Sequence, residues 1–219
     1  MDKLYKNGLV IGRFSPIHIG HNKLINSSIN LCSRTLVLVG SAQEANTLRN
    51  PFDIKTRIKL ISKCYPKYDE NVLMIRGIND LKNELNNDFS WGDFVISEVN
   101  RHLNGNFSDL VIYGNDPVKR TWFDPSCIPN TSELFIPRTD ISATYVRGLM
   151  VIGDKENWKK LTSPFIHSDY DRLREKLLSV PAYTRIYKSL KKECTIDDFL
   201  VIYNQLAKED FLKKQKALK

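Results

Sequence analysis

Short apolar runs alternate with stretches of helical apolar spacing over the first 150 residues of the chain. The runs are continuous rather than alternating, which is typical of strands buried on both faces of a parallel sheet. Strand followed by helix, repeated, predicts an α/β fold in which helices cover both faces of a parallel sheet of five or slightly more strands. The predicted strands cover residues 8–11, 35–39, 72–75, 110–113 and 134–136.

The pattern becomes purely helical after residue 141. Helices are predicted over 142–150, 156–161 and 170–178, then from Pro181, and finally from 196 to about 216 with Thr195 as the N-cap. We therefore expect one α/β domain over residues 1–162 and a helical C-terminal appendage over 163–219. The apolar faces of the appendage must be buried on that domain or on a neighbouring subunit.

Charge adds one clue to this picture. The 219 residues carry a formal net charge of +8, and a basic surplus suits an anionic partner. Residues 155–219 hold 15 basic and 9 acidic side chains, a pattern that a lysine-rich solvated helix explains without nucleic acid. No apolar run is long enough to span a bilayer, and the four cysteines are far apart in sequence. We expect a cytoplasmic protein with no membrane and no nucleic-acid partner.

The strongest chemical signal lies directly after the first predicted strand, where residues 12–21 read GRFSPIHIGH. Gly12 allows backbone to approach a phosphate chain, and Arg13 supplies a fixed cation. His18 and His21 are three residues apart at a helix start, so both rings can face one ligand. With the partial positive charge of the helix N-terminus, this segment predicts a polyphosphate site. The chain contains neither the GxxxxGK[ST] sequence of a P-loop protein nor the GxGxxG sequence of a dehydrogenase.

Three segments in order resemble a known family. His18-Ile19-Gly20-His21 resembles the HxGH signature of the nucleotidyltransferase superfamily, and residues 141–147, ISATYVR, resemble its second signature, ISxTxxR. The segment GSAQ at 40–43, followed by NPF at 50–52 and by Arg57, is similar to the archaeal-type nicotinamide-nucleotide adenylyltransferases.

The resemblance implies a Rossmann-like nucleotidyltransferase fold and direct transfer of the adenylyl group of ATP to nicotinamide mononucleotide, giving NAD and pyrophosphate. It implies Mg²⁺ carried mainly by the ATP phosphates and a homo-oligomer. Because no acidic pair flanks the motifs, we expect no metal site made of protein side chains. The implied catalytic residues are His18, His21 and Arg147. The implied ATP-binding residues are Gly12, Arg13, Phe14, Gly20, Gly114, Asn115, Ser142 and Thr144, and those for the mononucleotide are Arg49 and Trp91.

The chain departs from the family pattern at three places. Ser15 stands where the family often has glutamine, Lys55-Thr56 where it often has Gly-Glu, and Gly148 where it often has a further arginine. These departures weaken the assignment of the second substrate more than they weaken the assignment of the reaction type. The alternatives are transfer to another phosphorylated acceptor, such as nicotinate mononucleotide or flavin mononucleotide, and a catalytically weak nucleotide sensor.

Overall fold

A five-stranded, entirely parallel sheet forms the centre of the molecule, as the sequence predicted. The computed structural model describes residues 2–81, 90–103, 109–114, 121–137 and 141–217. The strands are β1 (Tyr5–Gly12), β2 (Cys32–Val39), β3 (Leu73–Gly77), β4 (Leu110–Gly114) and β5 (Ser132–Ile136), and their order across the sheet is β3-β2-β1-β4-β5. The chain thus winds outward from β1 in one direction and then in the other, the doubly wound arrangement.

Eight α-helices connect or follow these strands in the described part of the chain. They are α1 (Ile19–Leu31), α2 (Ile54–Cys64), α3 (Ser90–His102), α4 (Ala143–Ile152), α5 (Lys155–Lys160), α6 (Tyr170–Leu178), α7 (Pro181–Ser189) and α8 (Ile196–Ala217). Helix α1 begins directly after His18, whose side chain caps it. Short 3₁₀ turns lie at Pro125–Cys127 and Pro164–Asp169.

Both faces of the sheet are buried, as the continuous apolar strands require. Val10 and Val37 point into the larger cluster, which includes side chains of α1, α2 and α4. Leu9 and Leu36, one position away in each strand, point into the smaller cluster with side chains of α3. This alternation is the two-residue period of a strand, with apolar residues at both phases.

The C-terminal helices belong to the larger hydrophobic cluster. Leu173, Tyr183 and Phe199, from α6, α7 and α8, are buried in the same cluster as Val10 of the central strand. Helix α8 packs closely on α4 at Gly148, where an added Cβ would lie 2.4 Å from the Cδ1 atom of Ile196. The division of the chain at residue 162 stays a prediction.

The sheet places one crevice where the winding reverses. β1 lies between β2 and β4, so the strand order runs outward from it to β2 and β3 on one side and to β4 and β5 on the other. Ligands of open α/β sheets bind at this switch point. Within the described residues, no helix is both long and apolar enough to cross a membrane.

Candidate active site

A cavity of about 530 Å³ opens at the carboxyl edge of the sheet. Its walls come from the end of β1 and the loop after it, the first turns of α1 and α4, the end of β5 and one side of α8. Ten of the residues implied by the sequence line it: Gly12, Arg13, Phe14, His18, Gly20, His21, Arg49, Ser142, Thr144 and Arg147. Segments more than 100 residues apart in sequence thus form one site.

The loop between β1 and α1 has a strained backbone. Phe14 adopts a left-handed conformation with φ of 50°, and its ring is fully buried. Such conformations are costly for a bulky residue and cluster at functional sites. A Cβ on Gly12 would lie 3.2 Å from this ring, so glycine leaves room for the aromatic side chain. The ring in turn packs against His21, with centroids 4.7 Å apart.

The rings of His18 and His21 lie in contact, tilted to each other, at the start of α1. Their ring centroids lie 3.8 Å apart, and the planes are inclined by 35°. His18 is the N-cap, and its Nδ1 atom accepts a hydrogen bond from the backbone N–H of Gly20 at 3.1 Å. A neutral His18 ring therefore carries its proton on Nε2 and can donate from there.

Helix α4 delivers a second N-terminus to the same cavity. The Ser142 hydroxyl caps it by accepting from the backbone N–H of Tyr145 at 3.1 Å. Five residues after this cap, Arg147 is buried and still lines the cavity. Its Nη2 atom donates to the hydroxyl of Thr144 at 3.0 Å, and its Nη1 atom to the carbonyl oxygen of Ser15 at 2.6 Å. Arg147 thus joins the second signature to the first.

The cavity is suited to a highly charged anion. Two helix N-termini open into it, and Arg13 and Arg49 reach it from exposed positions. No carboxylate is among the described side chains that line it. Helix N-termini and arginines together stabilise phosphates through N–H donors and positive charge.

A buried arginine outside the cavity holds the neighbouring loops together. Arg57 is fully buried, and its guanidinium donates to the carbonyl oxygens of Arg13 at 3.1 Å, Gly40 at 2.7 Å and Ser41 at 2.8 Å. Burial lowers its pKa, an effect that the nearby carboxylates of Asp53 and others oppose. The sequence resemblance included Arg57, but its structural task, joining the ends of β1 and β2, was not predicted.

The other three residues implied by the resemblance are not among the described residues that line the cavity. Trp91 begins α3 and packs against Phe94 and Trp122, with ring centroids 5.9 and 6.0 Å away, and it is not among the described residues that line the cavity. Gly114 ends β4 beside Ile136 at the same edge of the sheet. Asn115 lies outside the described residues. The binding roles of all three stay predictions.

Sequence reasoning missed two tyrosines that contact the site. The hydroxyls of Tyr183 and Tyr203 both accept hydrogen bonds from Arg147, and Tyr203 also lines the cavity. In the sequence both residues fall on apolar faces of helices, where spacing indicates burial and gives no sign of a polar partner.

Comparison with known proteins agrees with this geometry. The profile of the cytidylyltransferase-like family matches residues 9–149, which include both signatures, and the chain belongs to this family of nucleotidyltransferases. Among its relatives is the nicotinamide-nucleotide adenylyltransferase of Thermococcus kodakarensis, 30% identical over 161 residues that cover 72% of this chain and 78% of the relative. The enzyme of the same name from Thermococcus onnurineus is 32% identical over 157 residues, covering 71% and 77%. The resemblance to the nicotinamide-nucleotide adenylyltransferases is therefore confirmed.

Solved structures show the same fold. A bifunctional NMN adenylyltransferase/ADP ribose pyrophosphatase from Francisella tularensis superposes with a TM-score of 0.62 at 17% identity, over 94% of this chain. The chain spans only 57% of that protein's length. Nicotinic acid mononucleotide adenylyltransferase from Plasmodium falciparum superposes with a TM-score of 0.50 at 12% identity, covering 78% of this chain and 98% of that one.

Proposed function

We propose that this enzyme transfers the adenylyl group of ATP to nicotinamide mononucleotide and so produces NAD and pyrophosphate. The observation that carries the proposal is the single cavity into which both signatures, two helix N-termini and Arg49 converge. The names of the relatives at 30% and 32% identity support the same acceptor and the same transferred group.

The triphosphate is assigned to the end of the cavity formed by α1 and α4. His18 can donate from Nε2, His21 lies beside it, and Arg147 presents its buried guanidinium between the two signatures. Arg13 reaches the cavity from the exposed side of the loop. His18 is fixed as a helix cap and Arg147 by buried hydrogen bonds, which suits them to stabilise charge that develops on the departing pyrophosphate.

The reaction requires no covalent intermediate. A phosphate oxygen of the mononucleotide attacks the α-phosphorus of ATP, the new P–O bond forms, and the bond between the α-phosphorus and the bridging oxygen breaks. The electron pair leaves with pyrophosphate. Because the attacking phosphate is already an anion, no base is needed, and the protein's task is to position two repelling anions and screen their charge.

A divalent cation is proposed to enter the site bound to the substrate phosphates. No group of three or more His, Cys, Asp or Glu side chains that could hold a metal ion occurs among the described residues. A Mg²⁺ ion typically binds substrate phosphates with few protein ligands, and here it would neutralise part of their charge. A manganese ion accompanies AMP in a structure of the Francisella tularensis protein.

The mononucleotide is assigned to the side of the cavity bounded by Arg49. Its exposed guanidinium can form paired hydrogen bonds to a phosphate. Trp91 is proposed to stack on the pyridinium ring, a favourable arrangement for a cation and an aromatic face. In the structure the indole ring of Trp91 contacts the rings of Phe94 and Trp122.

An assay of purified protein with a matrix of substrates tests the proposal. ATP and CTP are each offered with nicotinamide, nicotinate and flavin mononucleotides, and both pyrophosphate and the dinucleotide product are measured. We expect ATP with nicotinamide mononucleotide to give stoichiometric NAD and pyrophosphate. Preferred turnover of another pair would replace the assigned substrate. ATP binding by calorimetry without any turnover would favour the nucleotide sensor.

A further inference from the structure

Two hydroxyls from the C-terminal helices fix the guanidinium of Arg147. Its Nε atom donates to the hydroxyl of Tyr183 on α7 at 2.5 Å, and its Nη2 atom donates to the hydroxyl of Tyr203 on α8 at 3.1 Å. With the bonds to Ser15 and Thr144, protein acceptors take up four of the five N–H groups. The orientation of Arg147 toward the cavity therefore depends on helices outside the two signatures.

Tyr183 also reaches the other substrate's side of the site. Its hydroxyl donates to the carbonyl oxygen of Leu48 at 2.8 Å, and Leu48 immediately precedes Arg49. The buried Tyr183 hydroxyl thus accepts a hydrogen bond from Arg147 and donates one to the loop that carries Arg49. Because Tyr183 is fully buried, water cannot replace either bond when the hydroxyl is removed.

We propose that Tyr183 and Tyr203 are positioning residues of the active site: both orient Arg147 toward the triphosphate, and Tyr183 also holds the Arg49 loop in register with it. This inference rests on the proposed function. It makes the C-terminal helices part of the catalytic machinery rather than packing alone. Gly148 permits this arrangement, since a side chain there would push Ile196 and Phe199 of α8 away from α4.

The substitution Tyr203→Phe isolates the effect on Arg147. It keeps the ring and removes the hydroxyl that accepts from Nη2. We expect kcat/KM for ATP to fall by about tenfold, the size of one hydrogen bond to a charged group, while the KM for the mononucleotide stays within about twofold. Because Tyr203 itself lines the cavity, the same substitution is also made in an Arg147→Lys background. If the hydroxyl acts through the guanidinium, Tyr203→Phe adds no further loss there.

The substitution Tyr183→Phe adds the link to Leu48. We expect kcat/KM for ATP to fall by about tenfold, as for Tyr203→Phe, and the KM for the mononucleotide to rise as well, by about threefold or more. Tyr65→Phe is the matched control. It removes a buried tyrosine hydroxyl from the same hydrophobic cluster, but that hydroxyl contacts Asn22, which does not line the cavity. The control should lose thermal stability to a similar degree and keep its kinetic constants.

Three results would overturn the inference. One is wild-type kinetics in both folded variants. Another is an equal loss for Tyr203→Phe in the wild-type and Arg147→Lys backgrounds, which would make Tyr203 a direct substrate contact. The third is a rise in the mononucleotide KM of Tyr203→Phe as large as that of Tyr183→Phe. If Tyr183→Phe does not fold, wild-type kinetics of Tyr203→Phe still overturn it. The wild-type substrate matrix separates these results from failure of the proposed function. Each variant's kinetic constants are compared with those of the wild type on whichever acceptor the wild-type enzyme turns over.

Discussion

At the scale of single residues, the site is built from side chains whose freedom is removed before a ligand arrives. His18 is held as an N-cap, His21 lies between its ring and that of Phe14, and Arg147 is bonded on several sides. Preorganised groups of this kind stabilise a charged transition state without reorganising during the reaction. Their loss should therefore reduce turnover more than it reduces substrate binding.

His21→Ala tests this expectation. We expect kcat to fall by about 10²-fold or more, because one fixed group facing the developing charge is removed. The fold should persist, since the ring is only partly buried and lines the cavity. Steady-state kinetics measure the change, and circular dichroism confirms folding. A folded variant with nearly normal turnover would remove His21 from the mechanism.

Arg49→Ala separates the two substrates. Arg49 lines the cavity from an exposed loop, so its removal should leave the fold intact. If it binds the mononucleotide phosphate, the affinity for that substrate should fall by about ten- to hundredfold, the worth of about 1.5–3 kcal/mol for a charge-assisted bond. Titration calorimetry of each substrate gives the comparison. An equal loss of affinity for ATP would contradict the assignment.

At the scale of elements, the sequence predicted the sheet better than it predicted the site. The five strands were found because each is a continuous apolar run, a signal that local sequence carries. The partners of Arg147 could not be found in that way. Tyr183 and Tyr203 are 36 and 56 residues away from it, and helical spacing shows which face is buried without showing which hydroxyl meets which donor. The cap at Ser142, by contrast, is a local contact, because its hydroxyl accepts from a backbone N–H only three residues further along the chain.

Helices α4 and α8 meet at a position that only glycine fits. A Cβ at Gly148 would lie 2.4 Å from Ile196 and 2.6 Å from Phe199. Gly148→Val should lower the free energy of unfolding by about 1–3 kcal/mol through overpacking, despite the better helix propensity of valine. Urea denaturation measures the loss. Phe199→Leu frees space beside residue 148. The double variant Gly148→Val/Phe199→Leu should therefore lose less stability than the sum of the two single losses. Simple additivity would show that the two sites do not clash.

Asp53 links α2 to α6 in a pH-dependent way. Its carboxylate caps α2 and binds Lys176 of α6. Burial disfavours its charge, but the hydrogen bonds from Lys176 and Thr56 outweigh this, and its pKa falls from 3.8 to about 2. Because the folded state lowers the pKa, the stabilisation is present above pH 3.8 and is lost as the pH falls toward 2.

Asp53→Asn should consequently reduce stability at neutral pH, and the difference from the wild type should shrink between pH 4 and pH 2. Asparagine can still cap the helix, so the change reports the charge. Thermal unfolding across this pH range measures it. Glu175→Gln, which alters an exposed carboxylate of α6, is the control and should follow the wild-type curve. A constant difference at every pH would contradict the assigned pKa.

At the scale of the whole molecule, the C-terminal helices are joined to the sheet domain in three independent ways. They contribute to its larger hydrophobic cluster, they pack on α4, and Lys176 and Tyr183 bond to the segments around residues 48–56. A region that was only attached to the surface of the domain would lack such contacts. These contacts favour packing of residues 163–219 on their own domain over packing on a neighbouring subunit.

Two truncations distinguish a packed C-terminal region from a basic tail. Ending the chain at Ser179 removes α7 and α8, exposes the apolar surface of α4 that Phe199 covers, and deletes both tyrosines that hold Arg147. We expect aggregation or loss of a cooperative unfolding transition, together with loss of turnover. Deleting only residues 213–219 removes four lysines and keeps the buried side chains Phe199 and Tyr203 of α8, so stability and turnover should stay nearly unchanged. Light scattering, calorimetry and the NAD assay compare the two. A chain ending at Ser179 that remained soluble, cooperative and active would show that the sheet domain needs neither helix.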